Sequence, residues 1–257
     1  MRPPRWILAA SMLVGAALAA GTAVPAQAQD ADKLPEQRWS FSGPFGTFDR
    51  AAAQRGFEVY KNVCSTCHSL KEAYYRNLEG IGFTLDQVKA IAASVSVPDI
   101  DADGQPSERP ALPSDHFRSP FPNEQAARAA NNGALPPDQS VLEKAREGHA
   151  DYLYGILTGY RDPPPGMKMG VGLYYNLYFP GHQIAMPQPL QSDQVSYADG
   201  TPATLEQEAH DVVTFLTYIA NPEMEQRKRT GVKVVIFLAL LAGVTYAVKR
   251  QVWSDVH

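Results

Sequence analysis

Residues 64–68 read Cys-Ser-Thr-Cys-His, the most informative short motif of the chain. Two cysteines separated by two residues and followed directly by a histidine form C-x-x-C-H, the attachment motif of a c-type haem. Where the chain turns into a helix, both thiols can reach the vinyl groups of one porphyrin, and His68 offers its imidazole to the iron. The motif uses both cysteines of the 257-residue chain. We therefore predict one haem c, bound covalently through Cys64 and Cys67.

Other uses of a C-x-x-C pair fit this sequence less well. A structural zinc site needs four ligands, and the sequence has no second C-x-x-C or H-x-x-x-H pair to supply them. A thioredoxin-like dithiol needs a βαβ context, whereas the flanks of this motif have helical periodicity. Two cysteines three positions apart also exclude a disulfide framework.

The remaining composition and periodicity indicate a helical, loop-rich domain. With 19 glycines and 21 prolines, a large sheet or a long helical bundle is disfavoured. One amphipathic helix is predicted before the motif, on the apolar residues Phe48, Ala52, Gly56, Val59 and Val63. A second is predicted to begin after a Thr204 cap and to end at Asn221-Pro222. Residues 99–122, with five prolines, are predicted to form an irregular surface excursion.

The two ends of the chain indicate export and membrane anchoring. Residues 1–28 combine arginines, an apolar run and a final Ala-Gln-Ala, the layout of a cleaved signal peptide. Residues 29–226 would then form the exported haem domain. Residues 227–249 have the length of a transmembrane helix with basic flanks, which leaves residues 250–257 as a cytoplasmic tail. An uncleaved anchor and a buried soluble helix are the alternatives for the two apolar runs.

The charge of the exported part is strongly negative. Residues 29–226 carry 26 acidic and 15 basic side chains, so their formal charge is −11 against −4 for the whole chain. Such a domain repels nucleic acid and attracts basic partners. We therefore expect no nucleic-acid partner, although the charge also serves solubility.

A six-coordinate haem for electron transfer needs a second axial ligand. Met186 is favoured by position because Pro187 stiffens an extended segment after it, while Met167 and Met169, beside a Pro-Pro-Pro-Gly run, remain open. Histidine ligation also stays open, through His116, His149, His182 or His210. A vacant sixth position would instead indicate a haem ligand sensor or a peroxidase.

Several longer segments are more specific than the haem motif. They read RGFEVY at 55–60, AARAANNGALPPD at 126–138, LTGY at 157–160, YFPG at 178–181 and RKR at 227–229. From about residue 45 to residue 253 the chain resembles the cytochrome c1 family of bacterial type. That family is the haem subunit of the cytochrome bc1 complex, ubiquinol:cytochrome c oxidoreductase.

The resemblance implies a mainly α fold, with a cytochrome c-like haem domain, long irregular loops and one C-terminal transmembrane helix. It implies that His68 and Met186 are the axial ligands of the iron. It also implies that four further residues line the haem, namely Asn131, Pro137, Arg146 and Tyr152. Arg146 would lie near a propionate, which a guanidinium can pair through two hydrogen bonds.

The function implied by the resemblance is electron transfer, coupled to quinol oxidation and proton translocation. The chain would accept electrons from the Rieske iron-sulfur protein and pass them to a soluble cytochrome c, without a catalytic residue of its own. Cytochrome b and the Rieske subunit would be its partners in a dimeric complex of the bacterial inner membrane, with the haem domain in the periplasm. The alternatives are a free-standing membrane-anchored cytochrome c shuttle or oxidase subunit and, in another class, a ligand sensor or peroxidase.

Overall fold

A computed structural model describes residues 33–256, so the predicted signal peptide at residues 1–28 lies outside the described residues. The described part contains six α-helices: α1 Arg50–Asn62, α2 Leu85–Ala93, α3 Glu124–Ala130, α4 His149–Thr158, α5 Leu205–Ala220 and α6 Met224–Val252. Short strands form two antiparallel pairs, β1 Ser96–Ile100 with β2 Pro106–Pro110, and β3 Tyr174–Tyr175 with β4 Gln183–Ile184. Long loops join these elements, which confirms the mainly helical, loop-rich fold.

The helices α1 and α5 cross closely and form the centre of the core. Gly56 makes this approach possible, because a Cβ at this position would collide with the carbonyl oxygen of Asp211 and lie 2.8 Å from the Cβ of Phe215. Beside the crossing, Arg55 of α1 donates from Nε to Oδ2 of Asp211 at 2.7 Å, and Asp211 is fully buried. The crossing places the C-terminal end of α1, and the haem motif after it, against a rigid partner.

Both predicted amphipathic helices are confirmed. At α1, Asp49 caps the first turn by accepting a hydrogen bond from the backbone N–H of Ala52 at 3.1 Å. At α5, Thr204 accepts one from the backbone N–H of Gln207 at 3.2 Å, and the helix ends at Ala220 before Asn221.

The prediction of an irregular excursion over residues 99–122 is wrong for its first half. Residues Ser96–Ile100 and Pro106–Pro110 pair as an antiparallel hairpin. Asp101 makes the turn, since its Oδ1 accepts from the backbone N–H groups of Asp103 at 3.0 Å and Gln105 at 2.9 Å. The prolines of β2 are its first and last residues, positions at the end of an edge strand where a missing N–H costs little.

The C-terminal helix α6 is longer than the predicted span at residues 227–249. It begins three residues earlier, at Met224, and ends three residues later, at Val252. Its apolar window has a mean hydropathy of 2.1, and none of that window is buried. In the described part of the chain, α6 is the one helix long and apolar enough to cross a membrane.

Candidate haem site

A cavity of about 660 Å³ lies between the C-terminal end of α1, the helix α4 and the segment after β4. All eight residues predicted for the haem site line it: Cys64, Cys67, His68, Asn131, Pro137, Arg146, Tyr152 and Met186. They come from chain segments as far apart as residues 64 and 186. The volume falls within the range of about 300–1,000 Å³ that is usual for cofactor sites.

The haem motif forms a tight turn at the end of α1. The backbone N–H groups of Cys67 and His68 both donate to the carbonyl oxygen of Cys64, at 3.1 Å and 2.9 Å. Burial raises the pKa of the Cys64 thiol to about 12. The turn therefore presents both cysteine side chains and the His68 imidazole to one side of the cavity.

The ring of His68 is oriented by the backbone of a distant loop. Its Nδ1 lies 2.8 Å from the carbonyl oxygen of Pro137. Because a carbonyl only accepts, Nδ1 carries the proton and Nε2 keeps its lone pair. Burial lowers the pKa of His68 despite the opposing effect of this hydrogen bond. A neutral imidazole with a free Nε2 is the form that binds iron.

The carboxylate of Asp138 stabilises the loop that contains Pro137. Its Oδ2 accepts from the hydroxyl of Ser69 at 2.7 Å and from the backbone N–H of Lys71 at 2.9 Å, while Oδ1 accepts from the backbone N–H of Ser140 at 2.9 Å. Burial would raise the pKa of Asp138, but these hydrogen bonds outweigh it and lower the pKa. Asp138 ends the AARAANNGALPPD segment at 126–138, but that pattern by itself does not indicate which backbone groups its carboxylate binds.

Met186 lies two residues after β4, in the extended segment that the prolines predicted. The hydroxyl of Tyr160 donates a 2.9 Å hydrogen bond to the carbonyl oxygen of Met186. Tyr160 is buried against Ile156 and Ile184, so the bond connects the Met186 segment to a small apolar cluster. Tyr160 was missed as an individual site residue, although it ends the LTGY segment at 157–160.

The other candidate axial ligands lie elsewhere. Within the described residues, neither Met167 nor Met169 lines the cavity. The four histidines considered as a second axial ligand also do not line the cavity: His116, His149, His182 and His210. Among the methionines left open by the sequence, Met186 alone can reach this cavity.

Asn176 joins α4 to the segment that leads to Met186, and the sequence analysis missed it. The side chain is fully buried, its Nδ2 donates to the carbonyl oxygen of Ile156 at 2.8 Å, and its Oδ1 accepts from the backbone N–H of Tyr178 at 3.1 Å. Its own N–H donates to the carbonyl oxygen of His182 at 3.0 Å. Through these hydrogen bonds, the buried Asn176 fixes the chain after β3 against α4.

Arg146 provides a cation at the edge of the cavity. Its Nη1 donates to the carbonyl oxygen of Ala145 at 3.0 Å, and in the described residues no carboxylate lies within ion-pair distance of it. Burial raises the pKa of the neighbouring Tyr152, and the Arg146 charge opposes that shift.

Asn131, directly after α3, also lines the cavity. Its Nδ2 donates to the carbonyl oxygen of Ala127 at 2.7 Å.

Apolar side chains from several helices and loops complete the lining. They are Val63, Leu142, Leu153, Ile156, Leu157, Phe179, Ile184 and Leu216. The chemistry of the whole site, with two thiols, an imidazole, a thioether and an apolar wall, fits a haem. A metal site built only from histidine, cysteine and carboxylate groups is not found among the described residues.

The family model described as the cytochrome C1 family matches residues 39–256. The chain belongs to the cytochrome c1 family. The resemblance identified from the sequence is thereby confirmed, and so is haem binding, which membership of the cytochrome c1 family implies.

Relatives in the cytochrome c1 family extend from bacteria to fungi. Cytochrome c1 of Rhodospirillum rubrum is 44% identical over 96% of this chain and 97% of its own length. A Candida albicans protein named cytochrome b-c1 complex catalytic subunit, mitochondrial, is 46% identical over 86% of this chain and 78% of its own length. Cytochrome b/c1 of Bradyrhizobium diazoefficiens is 45% identical over 97% of this chain, which spans only 40% of that longer protein.

Proposed function

We propose that this chain is the haem-carrying, electron-transferring subunit of a cytochrome bc1 complex, which takes electrons from a Rieske iron-sulfur protein and delivers them to a soluble cytochrome c. One observation carries the proposal: the C-x-x-C-H turn and Met186 line the same cavity in a chain of the cytochrome c1 family. Relatives named as cytochrome c1 and as a b-c1 complex subunit support the same assembly.

Haem c, when bound here, supplies a one-electron iron centre. Cys64 and Cys67 would hold it through two thioether bonds, and His68 and Met186 would bind its iron. The Pro137 carbonyl keeps the Nε2 of His68 free for this role. A methionine opposite a histidine raises the reduction potential, which suits a carrier late in an electron-transfer chain.

Other residues of the cavity would tune and orient the group. Arg146, which has no carboxylate partner among the described residues, would pair a propionate through two charge-assisted hydrogen bonds. Asn131, Pro137 and Tyr152 would contact the haem beside it. The apolar wall excludes water, and a low dielectric around the iron favours the reduced state, whose charge is lower.

We further propose the following topology. After removal of residues 1–28, residues 29–226 form a periplasmic haem domain, residues 227–249, which are the apolar run of α6 with its basic flanks, cross the inner membrane, and residues 250–257 lie in the cytoplasm. Cytochrome b packs beside the anchor in a dimeric complex. The single apolar helix of the described residues supports the anchor, and the direction of crossing follows from export of the N-terminal part.

A reduced-minus-oxidised spectrum of the protein, purified gently in detergent from its native membrane, tests the proposal. Haem b that copurifies with haem c in constant ratio supports membership of the quinol-oxidising complex. Haem c alone, from membranes whose complex stays intact by sedimentation, contradicts it in favour of a free-standing shuttle. Rapid carbon monoxide binding to the reduced protein would instead favour a sensor or a peroxidase, because it requires an open coordination position.

A further inference from the structure

The turn formed by residues 41–46, called the foot here, exposes a large aromatic ring beside the start of the membrane helix. Phe45 is 80% exposed, more than Phe237 in the apolar part of α6 at 62%. Phe41, the first residue of the foot, and Phe48, two residues after its end, are both buried in the core. A single exposed apolar side chain is common on protein surfaces and does not by itself indicate a binding site. Whether it makes a contact depends on where the foot lies relative to α6.

Lys228 of α6 holds the foot directly. Its Nζ donates to the carbonyl oxygen of Phe41 and, at 3.1 Å, to that of Gly46. The turn is tight, since a Cβ at Gly46 would collide with the backbone of Phe41 and Ser42. Phe45 directly precedes Gly46, whose carbonyl oxygen is bound by Lys228 of α6. Phe45 is therefore held close to the start of the membrane helix.

A second contact on the same face of α6 holds the chain just after the foot. Glu225 lies three residues before Lys228, so the two side chains share one side of the helix. The carboxylate accepts from the backbone N–H of Phe48 at 2.8 Å and from Nη1 and Nη2 of Arg50, each at 2.8 Å. Arg50 is the first residue of α1, so the foot is connected to α6 at both ends and cannot swing away from it.

The depth of the foot in a membrane follows from the geometry of α6. The run at residues 231–248 is apolar except for Lys233 near its start, whose long side chain can extend to the headgroups. It is about 27 Å long at 1.5 Å per residue, close to the roughly 30 Å of a hydrocarbon core. Lys228 precedes this run by three residues, or about 4.5 Å along the axis, which lies inside a headgroup layer of about 5–8 Å. Arg227 and Arg229 beside it favour anionic phosphates. The carbonyls bound by Lys228 lie in the same layer.

We propose that the foot is a membrane contact, with the Phe45 ring inserted at the boundary between the headgroups and acyl chains of the bilayer. An exposed aromatic ring at this depth gains by leaving water. The contact gives the haem domain a second point of attachment beside α6, and two points restrict its tilt relative to the membrane. The proposal rests on α6 crossing the bilayer and is independent of the electron route.

Spin labels on the full-length chain, in the purified complex reconstituted into phosphatidylcholine and phosphatidylglycerol vesicles, test the contact. The label is placed by F45C, by V171C as an exposed control outside α6, and by F237C in the apolar run. Val171 is fully exposed and, like Phe45, apolar. The readout is the ratio of collisions with oxygen, which concentrates in lipid, to collisions with a water-soluble nickel chelate.

We expect the ratio at position 45 to be several-fold higher than at position 171 and below that at position 237. Adding K228M should lower the ratio at position 45 several-fold and leave position 237 unchanged. A label at 45 that meets the nickel chelate as often as the label at 171 overturns the proposal. A label at 45 that meets neither reagent also overturns it, because a protein subunit then covers the foot.

The label at position 237 tests separately whether α6 crosses the bilayer, which the proposed contact requires. Nickel accessibility there would show that α6 is not in the bilayer, and the contact would fail with it. The reduced-minus-oxidised spectrum of the same labelled samples reports the haem site separately, so loss of the proposed electron-transfer function is distinguished from loss of the membrane contact.

Discussion

The hydroxyl of Tyr160, two residues after α4, donates a 2.9 Å hydrogen bond to the carbonyl oxygen of Met186. The bond joins the apolar cluster around Ile156 to the loop that supplies the proposed sixth ligand. No disulfide can hold this loop, because both cysteines of the chain belong to the haem motif. The position of the Met186 thioether therefore depends on one buried hydroxyl and on packing.

Replacing Tyr160 by phenylalanine should loosen the Met186 loop. The ring packing is kept while the hydrogen bond is lost, which costs about 1 kcal/mol and favours opening of the loop several-fold. The measurement is the rate of carbon monoxide binding to the reduced protein, which requires the sixth ligand to leave. The control is Tyr174→Phe, which alters a half-exposed tyrosine of the same cavity. Equal rates in both variants would contradict the role of the Tyr160 hydroxyl.

Met186→Leu should abolish the six-coordinate, low-spin spectrum and lower the reduction potential. Leucine matches methionine in volume but has no sulfur to offer the iron. The absorption spectrum and a redox titration measure the two effects. Met167→Leu and Met169→Leu are matched controls, since neither residue lines the cavity. An unchanged spectrum in Met186→Leu, or the same loss in a control variant, would remove Met186 from the ligand set.

Gly56→Ala should destabilise the haem domain by about 3 kcal/mol. The added methyl group overlaps the Asp211 carbonyl, and two packed helices must separate to accommodate it. Thermal unfolding in detergent measures the effect as a lower midpoint. Gly231→Ala is the control, because that helical glycine has no atom within 4 Å of an added Cβ. A variant at position 56 as stable as the control would show that the helices do not cross so closely.

Asp138→Asn should make the His68 loop less stable at neutral pH by about 1 kcal/mol, since partial exposure weakens its hydrogen bonds. The pKa of Asp138 is lowered below its usual 3.8. Its ionised form therefore stabilises the fold above pH 3.8, and this contribution is lost as the pH falls through the lowered pKa. Unfolding midpoints at neutral and strongly acid pH should differ between the two proteins only at neutral pH.

The control for this prediction is Asp86→Asn, which removes an exposed partner of Lys89. Surface ion pairs contribute little, so its midpoint should match that of the unsubstituted protein at both pH values. A constant difference for Asp138→Asn across the whole pH range would contradict the assigned role of its charge.

Reduction of a basic soluble cytochrome c should slow as ionic strength rises. The formal charge of −11 on residues 29–226 attracts a basic partner, and salt screens that attraction beyond a Debye length of about 10 Å at 0.1 M. Stopped-flow mixing at several salt concentrations measures the rate. An uncharged small oxidant serves as the control and should react at a constant rate. Salt-independent reduction of the basic cytochrome would refute electrostatic steering.

Local patterns in the sequence predicted the elements that depend on neighbouring residues. The C-x-x-C-H turn, the apolar face of α1, the Thr204 cap of α5 and the apolar run of α6 are all contained in short segments, and each was found in place. The exact ends of α6 were missed, because the three extra residues at each end, MEQ at 224–226 and RQV at 250–252, include no glycine or proline to stop a helix. The β1–β2 hairpin was missed for a related reason: its five-residue strands are rich in proline and have no clear alternation.

The haem motif, the helical class, the apolar C-terminal helix and the family resemblance could therefore all be identified from the sequence alone. Only the tertiary structure decided that Met186 shares the cavity with His68 while Met167 and Met169 do not. It also revealed the carbonyl of Pro137 on Nδ1 of His68 and the hydroxyl of Tyr160 on Met186. The physical reason is sequence distance: these contacts join residues 26 to 69 positions apart, and the path of the intervening loops is set by packing rather than by local periodicity.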